Sequence, residues 1–173
     1  MEKIKNRLGV VTILTLAVIL LFVSLLRYSE TPKLQANIVL SLISEEEFNK
    51  IGQGSKLPEA KLDDFRKLKI EVGILKSKQM IDREILIPDV YYIIDHYDRI
   101  RTSMGGDYEQ NNIGKEDFAK SNIYVVFDAS GLTKDDYDKM FKGLNISVDW
   151  TYKNGETVKN ILPINSLLQD ESK

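Results

Sequence analysis

Residues 8–26, LGVVTILTLAVILLFVSLL, carry no charge over 19 positions. As a helix rising about 1.5 Å per residue, this run extends about 28 Å, close to the hydrocarbon thickness of a bilayer. A helix also satisfies its own backbone groups, which the bilayer interior requires. Thr12, Thr15 and Ser24 fit such a helix because a hydroxyl can bond back to a carbonyl one turn earlier. Lys3, Lys5 and Arg7 precede the run, and this basic excess sets Met1 on the cytoplasmic side. A cleaved signal peptide is the competing reading. Its apolar region normally covers about 7–15 residues and ends in a small-x-small site. Leu34-Gln35-Ala36 is a poor version of that site. The expectation is a signal-anchor in the cell membrane, single-pass. Residues 1–7 form a cytoplasmic stub, and residues 8–27 a transmembrane helix whose partner is the lipid bilayer. A tether follows over 28–35, then an extracytoplasmic domain over 36–165 and a flexible tail over 166–173.

Charge and cysteine usage narrow the chemistry of the outer part. Four of the 24 basic residues and one of the 26 acidic ones precede residue 29, which leaves the remainder at a formal charge of −5. That disfavours nucleic acid, anionic lipid and anionic wall polymers as partners. The absence of Cys removes disulfides, thiolate nucleophiles and thiol zinc sites, and a single His cannot build a multi-histidine metal site. A disulfide-free outer domain fits a bacterial cell envelope better than eukaryotic secretion.

Strand signals dominate residues 36–165. Ala36–Ile43 is β-branched and apolar, and Leu68, Ile70, Val72 and Ile74 alternate with polar or small residues. Ile81–Ile87 alternates again, with Arg83, Ile85 and Ile87 on one side. Asn122–Asp128, Ile146–Thr151 and Thr157–Leu162 complete six strands, with a seventh near Arg99–Ser103. Asn154-Gly155 links the last two as a hairpin with a type I′ turn. Ser44…Glu47 and Thr133…Asp136 read as capping boxes that open short helices. Pro88 precedes apolar residues at helical spacing, which predicts a helix from Asp89 to about Tyr97. Gly105–Lys120 is polar and rich in Gly and Asn, which predicts a mobile loop.

Six or seven strands in about 125 residues, with short helices in the connections, predict a mainly-β domain. The architecture that fits is a two-sheet sandwich of immunoglobulin-like type. The alternative is a two-layer α+β domain, with the helices near 89–100 and 133–141 covering one face of an antiparallel sheet. The predicted core is Ile38, Leu40, Leu68, Ile70, Val72, Ile74, Ile85, Ile87, Ile94, Val125, Phe127, Ile146, Val148 and Trp150.

Few residues suggest a site. Asp95-His96-Tyr97-Asp98 places a His beside carboxylates, as a general base or metal ligand requires. On a helix, however, Asp95, His96 and Asp98 diverge and cannot grip one ion. The acidic runs Glu45–Glu47 and Asp135–Asp138 sit at helix starts, where the macrodipole favours negative charge. Neither has calcium-loop spacing. Gly52-Gln53-Gly54-Ser55-Lys56 lacks the spacing of a phosphate loop. Tyr108 and Phe118, within the 105–120 loop, could mark a recognition surface. No catalytic residue, cofactor or metal is expected. The expected function is a membrane-anchored extracytoplasmic binding or structural domain without catalysis, directed at an unknown envelope protein or ligand. The alternative is a carboxylate-based cell-envelope hydrolase.

Overall fold

A computed structural model describes residues 13–23, 32–52, 60–77, 79–110 and 117–172. The chain divides into two units, Met1–Pro32 and Lys33–Lys173. In the first, residues 13–23 form helix α1 with exposed apolar side chains. Among the described residues no helix is long and apolar enough to cross a membrane. Positions 8–12 and 24–27 of the expected transmembrane helix, the stub over 1–7 and positions 28–31 of the tether lie outside the described residues.

The second unit is mainly β. Strand β1 (Lys33–Leu42) leads to helix α2 (Glu45–Gly52), and a 3-10 turn (Leu62–Asp64) leads into β2 (Phe65–Leu75). Strand β3 (Met80–Leu86) is followed by α3 (Val90–Asp95), β4 (Thr102–Gln110), β5 (Phe118–Asp128) and α4 (Lys134–Met140). Strands β6 (Asn145–Tyr152) and β7 (Thr157–Pro163) form a hairpin, then α5 (Ile164–Leu167) and β8 (Leu168–Asp170) close the chain. A five-stranded sheet has the order β4-β5-β2-β1-β8, and a three-stranded sheet has the order β3-β6-β7. All pairings are antiparallel except β1 with β8.

Alternation decides which face each strand buries. Ile38 and Leu40 of β1, Leu68, Ile70, Val72 and Ile74 of β2, and Val125 and Phe127 of β5 point inward. They meet Ile85 of β3 and Ile146, Val148 and Trp150 of β6 in one cluster, so the two sheets share a core. Each large side chain buried there contributes roughly 1.5–3 kcal/mol. The helices in the connections plug this core: α3 buries Val90 and Ile94, and α4 buries Tyr137 and Met140. The layered α+β alternative is therefore overturned, because a second sheet closes the core and the helices only complete it. A smaller cluster lies on the outer side of the large sheet, where α2 brings Ile51 and Phe48 onto Phe65 and Val126.

Both capping boxes form. Ser44 Oγ accepts from the Glu47 amide (3.2 Å) while Glu47 accepts from the Ser44 amide (2.9 Å). Thr133 and Asp136 repeat the exchange at α4, at 3.3 and 2.8 Å.

Several expectations are corrected. Residues 33–35 of the expected tether are strand, because β1 begins at Lys33 and pairs along its whole length with β2. The helix after Pro88 ends at Asp95 rather than near Tyr97. Ile81 points outward, 64% exposed, because a bulge between Met80 and Asp82 shifts the register, and Ile87 is only partly buried. Most of the described part of the expected 105–120 loop is strand. Its glycines serve close packing: a Cβ on Gly105 would overlap the Tyr91 ring, and one on Gly106 would lie 2.9 Å from Tyr124. The tail is ordered through Asp170, because the fully buried Ile164 anchors it. The Ile164 amide donates to Leu144 O (3.0 Å) and the Glu171 amide to Leu40 O (2.8 Å).

The β6–β7 hairpin forms where Asn154-Gly155 places it, with a different turn. Gly155 has φ +87°, whereas Lys153 and Asn154 do not enter the positive-φ region. The Gly155 amide donates to Tyr152 O (2.9 Å) and the Tyr152 amide to Glu156 O (2.8 Å). This is a three-residue loop ending in one left-handed glycine, rather than the two-residue type I′ turn.

Candidate functional site

The segment Asp95–Arg101 leaves α3 and enters β4, and its side chains fasten that connection. Asp95 Oδ1 accepts from the amides of Arg101 (2.9 Å) and Thr102 (2.7 Å). Burial works to raise the Asp95 pKa, but the backbone donors outweigh it and hold the carboxyl below its usual range. Asp98 takes a two-pronged bond from Arg101, with Nε and Nη2 both at 2.6 Å, and this guanidinium lowers its pKa. Arg101 Nη1 reaches across to Asp128 O (2.7 Å), at the end of β5, and Ser130 O (3.2 Å), just beyond it. Arg99 Nη2 adds Asp128 Oδ2 and Ser130 Oγ, both at 2.8 Å. Tyr97 donates its hydroxyl to Asp136 Oδ1 (2.8 Å). The result is a strap that joins the α3–β4 connection to the β5–α4 connection.

His96 stands apart from these carboxylates. Its ring stacks on Tyr92 with centroids 3.8 Å apart, and Nδ1 lies 2.8 Å from Tyr92 O. A carbonyl only accepts, so this contact places a proton on Nδ1. The structure thus brings Asp95, Asp98 and Arg101 together and leaves His96 on the surface. Asp95 and Asp98 already hold donors, which suits a brace.

In the acidic runs, Glu46, Glu47 and Asp136 are engaged. Glu46 pairs with Lys50 (2.7 Å), and Glu47 pairs with Lys67 besides capping α2. Asp136 is held at a pKa of about 2 by the Thr133 hydroxyl and amide, then by Tyr97. No group of three or more Asp, Glu or His among the described residues could hold a metal ion. Of the phosphate-loop-like stretch only Gly52, at the end of α2, is described; 53–56 lie outside the described residues.

A surface that sequence patterns left unmarked lies on the outer side of the five-stranded sheet. The registers set its rows: Val39, Lys69, Tyr124 and Gly106 in one, Asn37, Glu71, Asn122 and Tyr108 in the next. Gln35, Gly73, Lys120 and Gln110 follow, then Lys33, Leu75 and Phe118. Tyr108 and Phe118, singled out in the expected loop, both sit on this face. Hollows of about 660 Å³ beside Gly73 and about 240 Å³ beside Gly106 indent this sheet. Lys67 lies 5.2 Å from the Tyr124 ring centroid, and Lys69 bonds Glu71 at 3.0 Å. The buried Oδ1 of Asn122 has no donor among the described residues. Alternation marks such positions as solvent-facing, yet only the pairing of distant strands shows which of them stand side by side.

Compared with family models, with curated proteins and with solved structures, the chain matches none.

Proposed function

We propose that the chain is a membrane-anchored binding or structural module, whose globular part is an immunoglobulin-like sandwich. The observation that carries the architecture is the strand order. Strands β1, β2, β5 and β4 in one sheet and β3, β6 and β7 in the other follow the A-B-E-D and C-F-G order of the seven-strand immunoglobulin arrangement. The short β8 is an addition alongside β1. Such a scaffold presents flat sheet faces and loop clusters rather than a deep catalytic cleft. The engagement of Asp95, Asp98 and Asp136 in internal bonds supports binding over hydrolysis.

The anchor rests on the uncharged run over residues 8–26 and the basic residues before it. In this reading the N-terminus is cytoplasmic and the sandwich lies outside the membrane. Protease added to intact protoplasts expressing the full chain with a C-terminal tag should remove the tag while a cytoplasmic marker survives. A protected tag would reverse the topology, and a tag found only in the soluble fraction would remove the anchor.

A further inference from the structure

The two outer faces of the sandwich carry opposite charge. On the five-stranded sheet, Lys33, Lys67, Lys69 and Lys120 point outward against Glu71 and Asp128. Lys67 is satisfied by Glu47 of α2 and Asp128 by Arg99, which leaves the strands of this face at +2. On the three-stranded sheet the outward residues include Asp82, Glu84 and Asp149 against Lys159, a charge of −2. A +2 face on a domain of charge −5 is a segregation of charge, not an average of it.

The acidic face is also arranged at a cost to the isolated domain. Glu84 stands directly across from Asp149 in the β3–β6 register, a like-charge pair that weakens a sheet. Lys159 is across from Asp149 on the other side but makes no ion pair with it among the described residues. Leu86 (52% exposed) and Ile161 (68%) lie in the adjoining row, flanking Ser147. Cations from outside would relieve the acidic pair, and a partner face would cover the two aliphatic side chains.

We propose that this partner is a second copy of the same chain, seated with its five-stranded face on the three-stranded face of the first. Lys69 and Lys120 then meet Glu84 and Asp149, while Glu71 meets Lys159, so both signs find opposites. The inference stands on the two faces alone and holds with or without the membrane anchor. Because the two patches differ, the contact is head-to-tail and builds rows, or rings where its rotation closes, rather than a two-fold dimer. Strand spacings give about 350 Å² for the three-stranded face, against roughly 800 Å² per partner in a stable complex. The contact is therefore weak and salt-sensitive, and it calls for covalent trapping.

A zero-length carbodiimide applied to full chain in detergent micelles, half of it labelled with ¹⁵N, joins a lysine to a carboxylate only where they touch. Mixed-isotope amides should link Lys69 or Lys120 to Glu84 or Asp149, and should fall about fivefold or more from 50 mM to 500 mM salt. Lys69→Glu with Lys120→Glu should abolish them, as should Glu84→Lys with Asp149→Lys. A mixture of the two variants should restore mixed-isotope links, since each keeps the face the other lacks. The substituted positions are outward-facing, and circular dichroism checks folding; the single changes Lys120→Gln and Asp149→Asn, each expected to reduce the yield, serve if a double variant unfolds. Links confined to single chains, links insensitive to these changes, or no restoration on mixing would overturn the proposal.

Discussion

Arg101 makes four hydrogen bonds to Asp98, Asp128 and Ser130 from a side chain only 3% exposed. Its replacement by Met removes the bridge between two connections and leaves two carbonyls and a carboxylate to find other donors. Breaking a fully buried pair costs about 3–5 kcal/mol, but Asp98 is 45% exposed, so about 2 kcal/mol is expected. Urea denaturation of the variant reads this directly. Asp136 bears on pH. Its folded pKa of about 2 lies below the ordinary aspartate value of about 3.9, so its contribution is fully present above about pH 4 and is lost as pH falls toward 2. Asp95 and Asp98, also lowered, act in the same direction. Asp136→Asn should therefore flatten part of the acid limb of the stability–pH curve; an unchanged limb would remove Asp136 from that role.

The hairpin between β6 and β7 tests the element scale. With Gly155 alone in the left-handed region, Gly155→Val should cost about 2 kcal/mol. Asn154→Val should cost about 1 kcal/mol, for the bond its Oδ1 accepts from the Glu156 amide. Equal, large losses at both positions would instead indicate a type I′ turn. The difference between these turns shows how far local sequence reaches: Asn-Gly located the reversal, while the loop length depended on which residues the two strands could pair. Strand β2 was legible because its alternation is local, and both short helices with capping boxes were legible for the same reason. Strand β4 was legible only at its start, where Thr102 and Ser103 fall in the seventh strand expected near Arg99–Ser103, because Gly105 and Gly106 lower strand propensity and their use is explained only by Tyr91 and Tyr124 from elsewhere in the chain. Strand β8 was not legible: three residues pair with β1, and Ile164 alone, fully buried, gives no periodic signal. At the Asp95–Asp98 cluster the residues were legible but their partners were not, since Asp128 and Ser130 lie about thirty positions away.

At the scale of the whole molecule the account depends on consecutive strands β2 and β3 belonging to different sheets. That arrangement gives the sandwich its two outer faces, and so underlies both the binding reading and the head-to-tail contact. Strand number and spacing predict two sheets, but the crossovers are set by long-range packing of Ile70, Val72, Ile85 and Val148 in one core. Amide-proton and α-proton contacts measured by nuclear magnetic resonance on the isotope-labelled full chain in micelles address this most directly. The account predicts cross-strand contacts between Leu68 and Val125 and between Ile85 and Val148, with none running as a ladder between β2 and β3. A continuous antiparallel ladder between Phe65–Leu75 and Met80–Leu86 would contradict it.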